Sequence, residues 1–140
     1  MDIEVFALCD AATETGGKLN ILGAFDCLYA QKFPVIHPQC SVALRIRFSQ
    51  IEEGGHRIKI NFVDEDGKPI LPSLNANVEI KFKEEQHYVV SNLILNIHNF
   101  KIEKAGQYSI DLAIDGKSEK SLPLFVRIVR PRPDPVQHPT

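Results

Sequence analysis

The residues of this 140-residue chain with chemistry to offer are five histidines, three cysteines and eighteen carboxylates. Asp10 and Asp26 stand in apolar surroundings at the ends of the first predicted hairpin. Two carboxylates held close can share a proton and split their pKa values, as general acid–base pairs do. An odd-length hairpin loop sets these two near opposite ends, so each is read as an acceptor for backbone N–H groups where a strand stops. His37, His56, His87 and His98 fall on different loops and strands, and their spacing assembles no Ser–His–Asp or Cys–His set. There is no GxSxG, HExxH or Walker loop. Gly16-Gly17-Lys18 is too short to cradle a phosphate and opens a strand rather than a helix. The expectation is a non-enzymatic chain without a cofactor; the enzymatic alternative is a hydrolase with a loop-built site.

Metal chemistry is weighed on two segments. Cys9, Cys27 and Cys40 lack CxxC spacing and sit in apolar strand patterns, which reads as buried free thiols. His37-Pro38-Gln39-Cys40 holds ligand types, but Pro38 stiffens the step. Asp64-Glu65-Asp66-Gly67 lacks the spaced oxygens and closing Glu of a calcium loop, so it is read as a solvated turn. No metal site is expected. The start Met1-Asp2-Ile3-Glu4 carries no basic region before an apolar core, and no apolar run approaches bilayer length, so the expected compartment is the cytoplasm.

The elements that must position these residues are strands. Period-two alternation runs nearly throughout. Ile3, Val5, Ala7 and Cys9 form one side of a first strand, expected to face the core; a turn at Thr13-Glu14-Thr15-Gly16-Gly17-Lys18 leads to Leu19, Ile21, Gly23, Phe25 and Cys27. Keeping both sets on one face requires an odd loop, which sets Cys9 against Gly23 or Phe25 and disfavours a Cys9–Cys27 bridge. Phe33-Pro34-Val35-Ile36-His37-Pro38 is read as a connector between sheets. Further alternating runs end at Ile128, giving seven to eight strands. No segment shows helical spacing. This rhythm fits a single antiparallel β-sandwich over residues 1–129, followed by a Pro-dense tail at 130–140. Gly106-Gln107-Tyr108 is similar to the corner tyrosine of immunoglobulin-like sandwiches, so the expected fold is all-β and immunoglobulin-like.

Two surfaces stand out. Arg45, Arg47, Arg57 and Lys59 point away from the expected core, and Lys81 and Lys83 extend the set. If the strands bearing Ile46 and Ile60 form a hairpin, Arg47 lies near Lys59 and the six cations make one basic face able to bind an anion or an acidic partner. A formal net charge of -2 and few interleaved aromatics disfavour nucleic acid. The neutralising alternative draws on Glu79, Asp111 or Asp115. The second surface is apolar: Phe6, Leu8, Leu22, Leu28 and Tyr29 lie on the parity opposite to the expected core. An unpaired apolar face marks an interface, so the expected partner is another protein or a second copy, and not a membrane.

The stretches Ala7-Leu8-Cys9-Asp10-Ala11-Ala12, Gly17-Lys18-Leu19-Asn20-Ile21-Leu22-Gly23-Ala24-Phe25-Asp26 and Phe33-Pro34 with His37-Pro38 resemble an uncharacterised bacterial family of small β-sandwich proteins. The resemblance covers the first third of the chain. It implies a fold and a bacterial origin, and carries over no catalytic residue. Function is thus expected to be that of a binding or assembly module acting through its sheet faces.

Overall fold

Alternation of β-branched and polar residues drives nearly the whole chain into strands. The computed structural model describes residues 1–130, so the Pro-dense tail lies outside the described residues except for Arg130. Among the described residues there are nine strands, in chain order β1 (Asp2–Thr15), β2 (Lys18–Ala24), β3 (Cys27–Ala30), β4 (Val35–Ser49), β5 (Gly54–Val63), β6 (Leu74–Ile80), β7 (Tyr88–Ile102), β8 (Gly106–Ile114) and β9 (Lys117–Ile128). One 3-10 turn, Gln50–Glu52, follows β4. The strands form two sheets, a four-stranded one in the order β2-β1-β4-β7 and a five-stranded one in the order β3-β9-β8-β5-β6. The five-stranded sheet curls as a half-barrel. Every pairing between strands is antiparallel except β3 with β9. Among the described residues, no helix is long and apolar enough to cross a membrane.

One core joins the sheets. Val42, Leu44, Ile46 and Phe48 from β4 meet Ile58, Ile60 and Phe62 from β5 and Ile110, Leu112 and Ile114 from β8 in one buried cluster. Phe62 packs edge-on against Phe100 of β7 at 5.3 Å between ring centres. Each such side chain contributes about 1.5–3 kcal/mol by leaving water.

The first strand departs from its expected parity. β1 shifts register between Ile3 and Val5, so Ile3 opposes Ile46 while Val5 opposes Arg45. The extra residue of such a bulge turns the following side chains to the other face. Phe6 and Leu8 are therefore core residues, and Val5, Ala7 and Cys9 take the outer face of their sheet with Arg45, Ala43 and Ser41. This corrects the apolar surface drawn from the sequence: two of its five members fill the core.

The hairpin loop is also shorter than expected. Thr15 pairs with Lys18, leaving only Gly16 and Gly17 in the turn, both at positive φ (57° and 78°). That is the two-residue turn whose twist suits a hairpin and which glycine adopts freely. Cys9 consequently pairs with Ala24, not Gly23 or Phe25. Asp10 and Asp26 both fall at the root of the hairpin rather than at opposite ends.

The connector before Pro38 behaves as read at its first proline. The segment 31–34 carries the chain from β3 in the five-stranded sheet to β4 in the four-stranded one. Pro38, however, lies inside β4. There β4 pairs with β7 only, because β1 leaves it after Cys9, so a missing N–H can face an open edge.

Candidate functional site

The path of the β1–β2 hairpin dominates the surface. β1 pairs with β4 from Asp2 to Cys9 and with β2 from Cys9 to Thr15. A straight continuation would carry Gly17 about 40 Å beyond Val5, at roughly 3.3 Å per residue. Instead the Gly17 carbonyl accepts from Arg45 Nη1 at 3.3 Å and from Asn92 Nδ2 at 3.0 Å. Arg45 stands opposite Val5, and Asn92 opposite Arg45. The hairpin therefore doubles back as a two-stranded ribbon over the outer face of its own sheet. Val5, Leu19, Ile21 and Arg45 line a cavity of about 250 Å³ at its tip. The bend lies at Asp10 and Gly23, whose φ of 66° only glycine adopts without strain.

The bend also accounts for the buried outer face. Cys9, Ser41 and Ala43 are fully buried although they point away from the inter-sheet core. Ser41 satisfies its hydroxyl with Asn96 Oδ1 at 2.6 Å. Cys40, on the core side, has its thiol pushed up to about 11 by burial, with Cys9 and Asp10 adding to the shift. A thiol so held is a packing group, not a nucleophile. All three cysteines are free, and no group of three metal-ligating side chains occurs among the described residues.

The basic residues divide between the sheets, because β4 and β5 belong to different sheets and form no hairpin. Arg45 and Arg47 lie on the four-stranded sheet. Glu4, on neighbouring β1, accepts from both at 3.0 Å. Hydrogen bonding from Arg47 holds the Glu4 carboxyl below its ordinary range against partial desolvation, and Arg45 adds to this. Tyr88 lies under the Arg47 guanidinium at 5.8 Å. These two arginines are structural clamps: both pair with Glu4, and neither with Glu79, Asp111 or Asp115. Glu4, Asn92 and the Gly17 carbonyl escaped the sequence reading because only the β1–β4–β7 order brings them together.

Arg57 and Lys59 lie exposed on β5, opposite Asn77 and Asn75 of β6. Neither forms an ion pair among the described residues. Arg57 borders an open cleft of about 570 Å³ with Asn77, Glu79, His56, Asp115 and Gly116. Lys81 and Lys83 lie exposed just past the end of β6.

His56 anchors the rim of that cleft. Its Nδ1 lies 2.7 Å from Asp115 Oδ2 and its Nε2 2.5 Å from the Glu52 carbonyl. Both partners accept, so both ring nitrogens donate only when the imidazole is charged. Burial alone lowers its pKa, but the bonds to the Glu52 carbonyl and to Asp115 outweigh burial and raise it above 6.5. Asp115 is lowered in turn, first by the Arg57 backbone N–H and then by His56.

The remaining apolar candidates differ in exposure. Leu22 is 70 % exposed and Tyr29 64 % exposed, whereas Leu28 packs against the core. Leu22 sits on β2, the terminal strand of its sheet. Ile21 beside it is also exposed.

These features define an all-β protein of two sheets with a doubled-back ribbon as its outermost element. The chain belongs to a family of unknown function (DUF6941), whose model matches residues 4–127. That span extends the family resemblance from the first third of the sequence to nearly all of it. No curated protein and no solved structure matches the chain.

Proposed function

We propose that this chain is a non-enzymatic protein-binding or assembly module whose contact element is the outer surface of the β1–β2 ribbon. The observation that carries this reading is Leu22, 70 % exposed at the middle of a terminal strand. An apolar side chain beside an open row of ladder groups is what strand addition uses: main-chain bonds give affinity and the side chain gives specificity. We read the two sheets as an immunoglobulin-like sandwich; the Tyr108 hydroxyl donating to the Lys104 carbonyl at 2.5 Å supports the corner such folds use. The three free thiols agree with a reducing, cytoplasmic setting.

A second reading is anion binding on β5, favoured by exposed Arg57 and Lys59 beside the open cleft. One experiment separates the two. The immobilised protein, its Leu22→Asp variant and its Lys59→Glu variant are exposed to native lysate. The ribbon reading expects a species retained by the parent and by Lys59→Glu but lost with Leu22→Asp. Loss with Lys59→Glu alone transfers the function to β5.

A further inference from the structure

We infer that the occupant of the β2 edge is β2 of a second copy, paired antiparallel about a twofold axis. This deepens the proposed function and rests on it. β2 spans seven residues and, among the described residues, hydrogen-bonds on one side only, to β1. Backbone N–H and C=O groups on its other side have no ladder partner among those residues and need one or water. Natural edges are blunted by shortness, Pro, charge or coverage. Of the other terminal strands, β3 has four residues, and β6 and β7 contact each other where the sheets meet. β2 carries no Pro and a single charge, Lys18, at its start.

Charge selects the register. A twofold axis at Ile21 sets Asn20 opposite Leu22 of the second copy, and Lys18 opposite its Ala24. Ala24 pairs with Cys9 within each copy, so it lies at the hairpin root, two residues before the exposed carboxylate of Asp26. Each Lys18 ammonium is thereby brought to an acidic root, and symmetry makes the contact twice. A twofold axis at Asn20 instead sets Lys18 opposite Leu22, away from the acids. The same patch serves both partners, as a twofold interface requires. Seven residues of strand bury less than the roughly 1,200 Å² of a stable interface, so the dimer is weak, with a dissociation constant on the order of 100 µM.

The test is sedimentation equilibrium of the full chain from about 10 µM to about 1 mM, a range that brackets this weak dissociation constant. The weight-average mass is expected to climb from 15.7 kDa towards twice that value. Leu22→Lys and Lys18→Glu should each raise the dissociation constant at least about tenfold, and Lys18→Glu combined with Asp26→Lys should recover most of it. Near-UV circular dichroism confirms the fold of each variant. A parent that stays at 15.7 kDa throughout overturns the second copy as occupant. So does a dimer indifferent to both substitutions. The ribbon reading survives either result if lysate capture still depends on Leu22; if capture is also indifferent to Leu22, both fall.

Discussion

Arg45 donates to the Gly17 carbonyl at 3.3 Å although twelve residues of chain separate Gly17 from Val5, the residue opposite Arg45. One guanidinium thus fastens the far end of the ribbon to the sheet from which it departs. Asn92 doubles the attachment, donating to the same carbonyl while its Oδ1 accepts from Arg45 at 3.0 Å.

Arg45→Ala should therefore free the ribbon without opening the core. Its bonds are partly exposed, so the cost to global stability is small, about 1 kcal/mol. Amide exchange of Leu19–Ala24 should quicken roughly tenfold, while that of Ile58–Phe62 in β5 stays unchanged. Equal acceleration in both segments would mean that the ribbon is not a separate unit.

Gly23→Ala tests the bend. The added Cβ would meet the Asp10 carboxyl group inside van der Waals contact, at a φ of 66° that alanine resists. A loss of about 1–2 kcal/mol in urea unfolding is expected. Adding Asp10→Ala should remove the steric part and leave the backbone part.

His56 makes stability depend on pH. Its folded pKa is raised above 6.5, so its contribution is fully present below 6.5 and is lost as pH rises through the folded value. Asp115 acts at the other end: its lowered pKa gives stability present above 3.8 and lost as pH falls through its folded value. The urea midpoint should therefore decline as pH rises above 6.5, and His56→Gln should flatten that decline. An unchanged slope in the variant would remove His56 as its source.

Tyr108 is 4 % exposed, and its hydroxyl reaches the Lys104 carbonyl. Tyr108→Phe leaves the ring in place and strips that carbonyl of a partner. A cost of about 1–1.5 kcal/mol in thermal or urea unfolding is expected.

The strands were legible because half-buried sheets repeat every second residue, and β5, β8 and the 122–127 part of β9 follow that rhythm. The segment 64–69 is a turn as read, and the structure adds that Asp64 Oδ1 closes it by accepting from the N–H groups of Asp66 and Lys68 at 2.9 Å. Two things alternation does not encode went astray. A bulge at Ile3–Val5 adds one residue and leaves the apolar pattern intact, so Phe6 and Leu8 looked outward when they face the core. Sheet membership is the other: Ser49 and Gly54 flank a short link that reads as a hairpin turn, yet it passes between sheets. The basic face was divided by that one step. The ribbon's return onto its own sheet depends on contacts between Gly17, Arg45 and Asn92, separated by up to 75 positions, which no local pattern reveals. Leu22 lies outward, 70 % exposed, on a hairpin whose sequence is apolar on both parities.

The most direct test of a second copy seated on the β2 edge is a dilution series followed residue by residue with amide NMR. The account predicts concentration-dependent shifts gathered in Lys18–Ala24, with Asp10 and Asp26 the next most affected. A second set of small changes is expected at the amides of Thr13 and Thr15, whose hydroxyls Asn20 engages. Spectra that do not change with concentration, or that change first along β6 and β7, would contradict it.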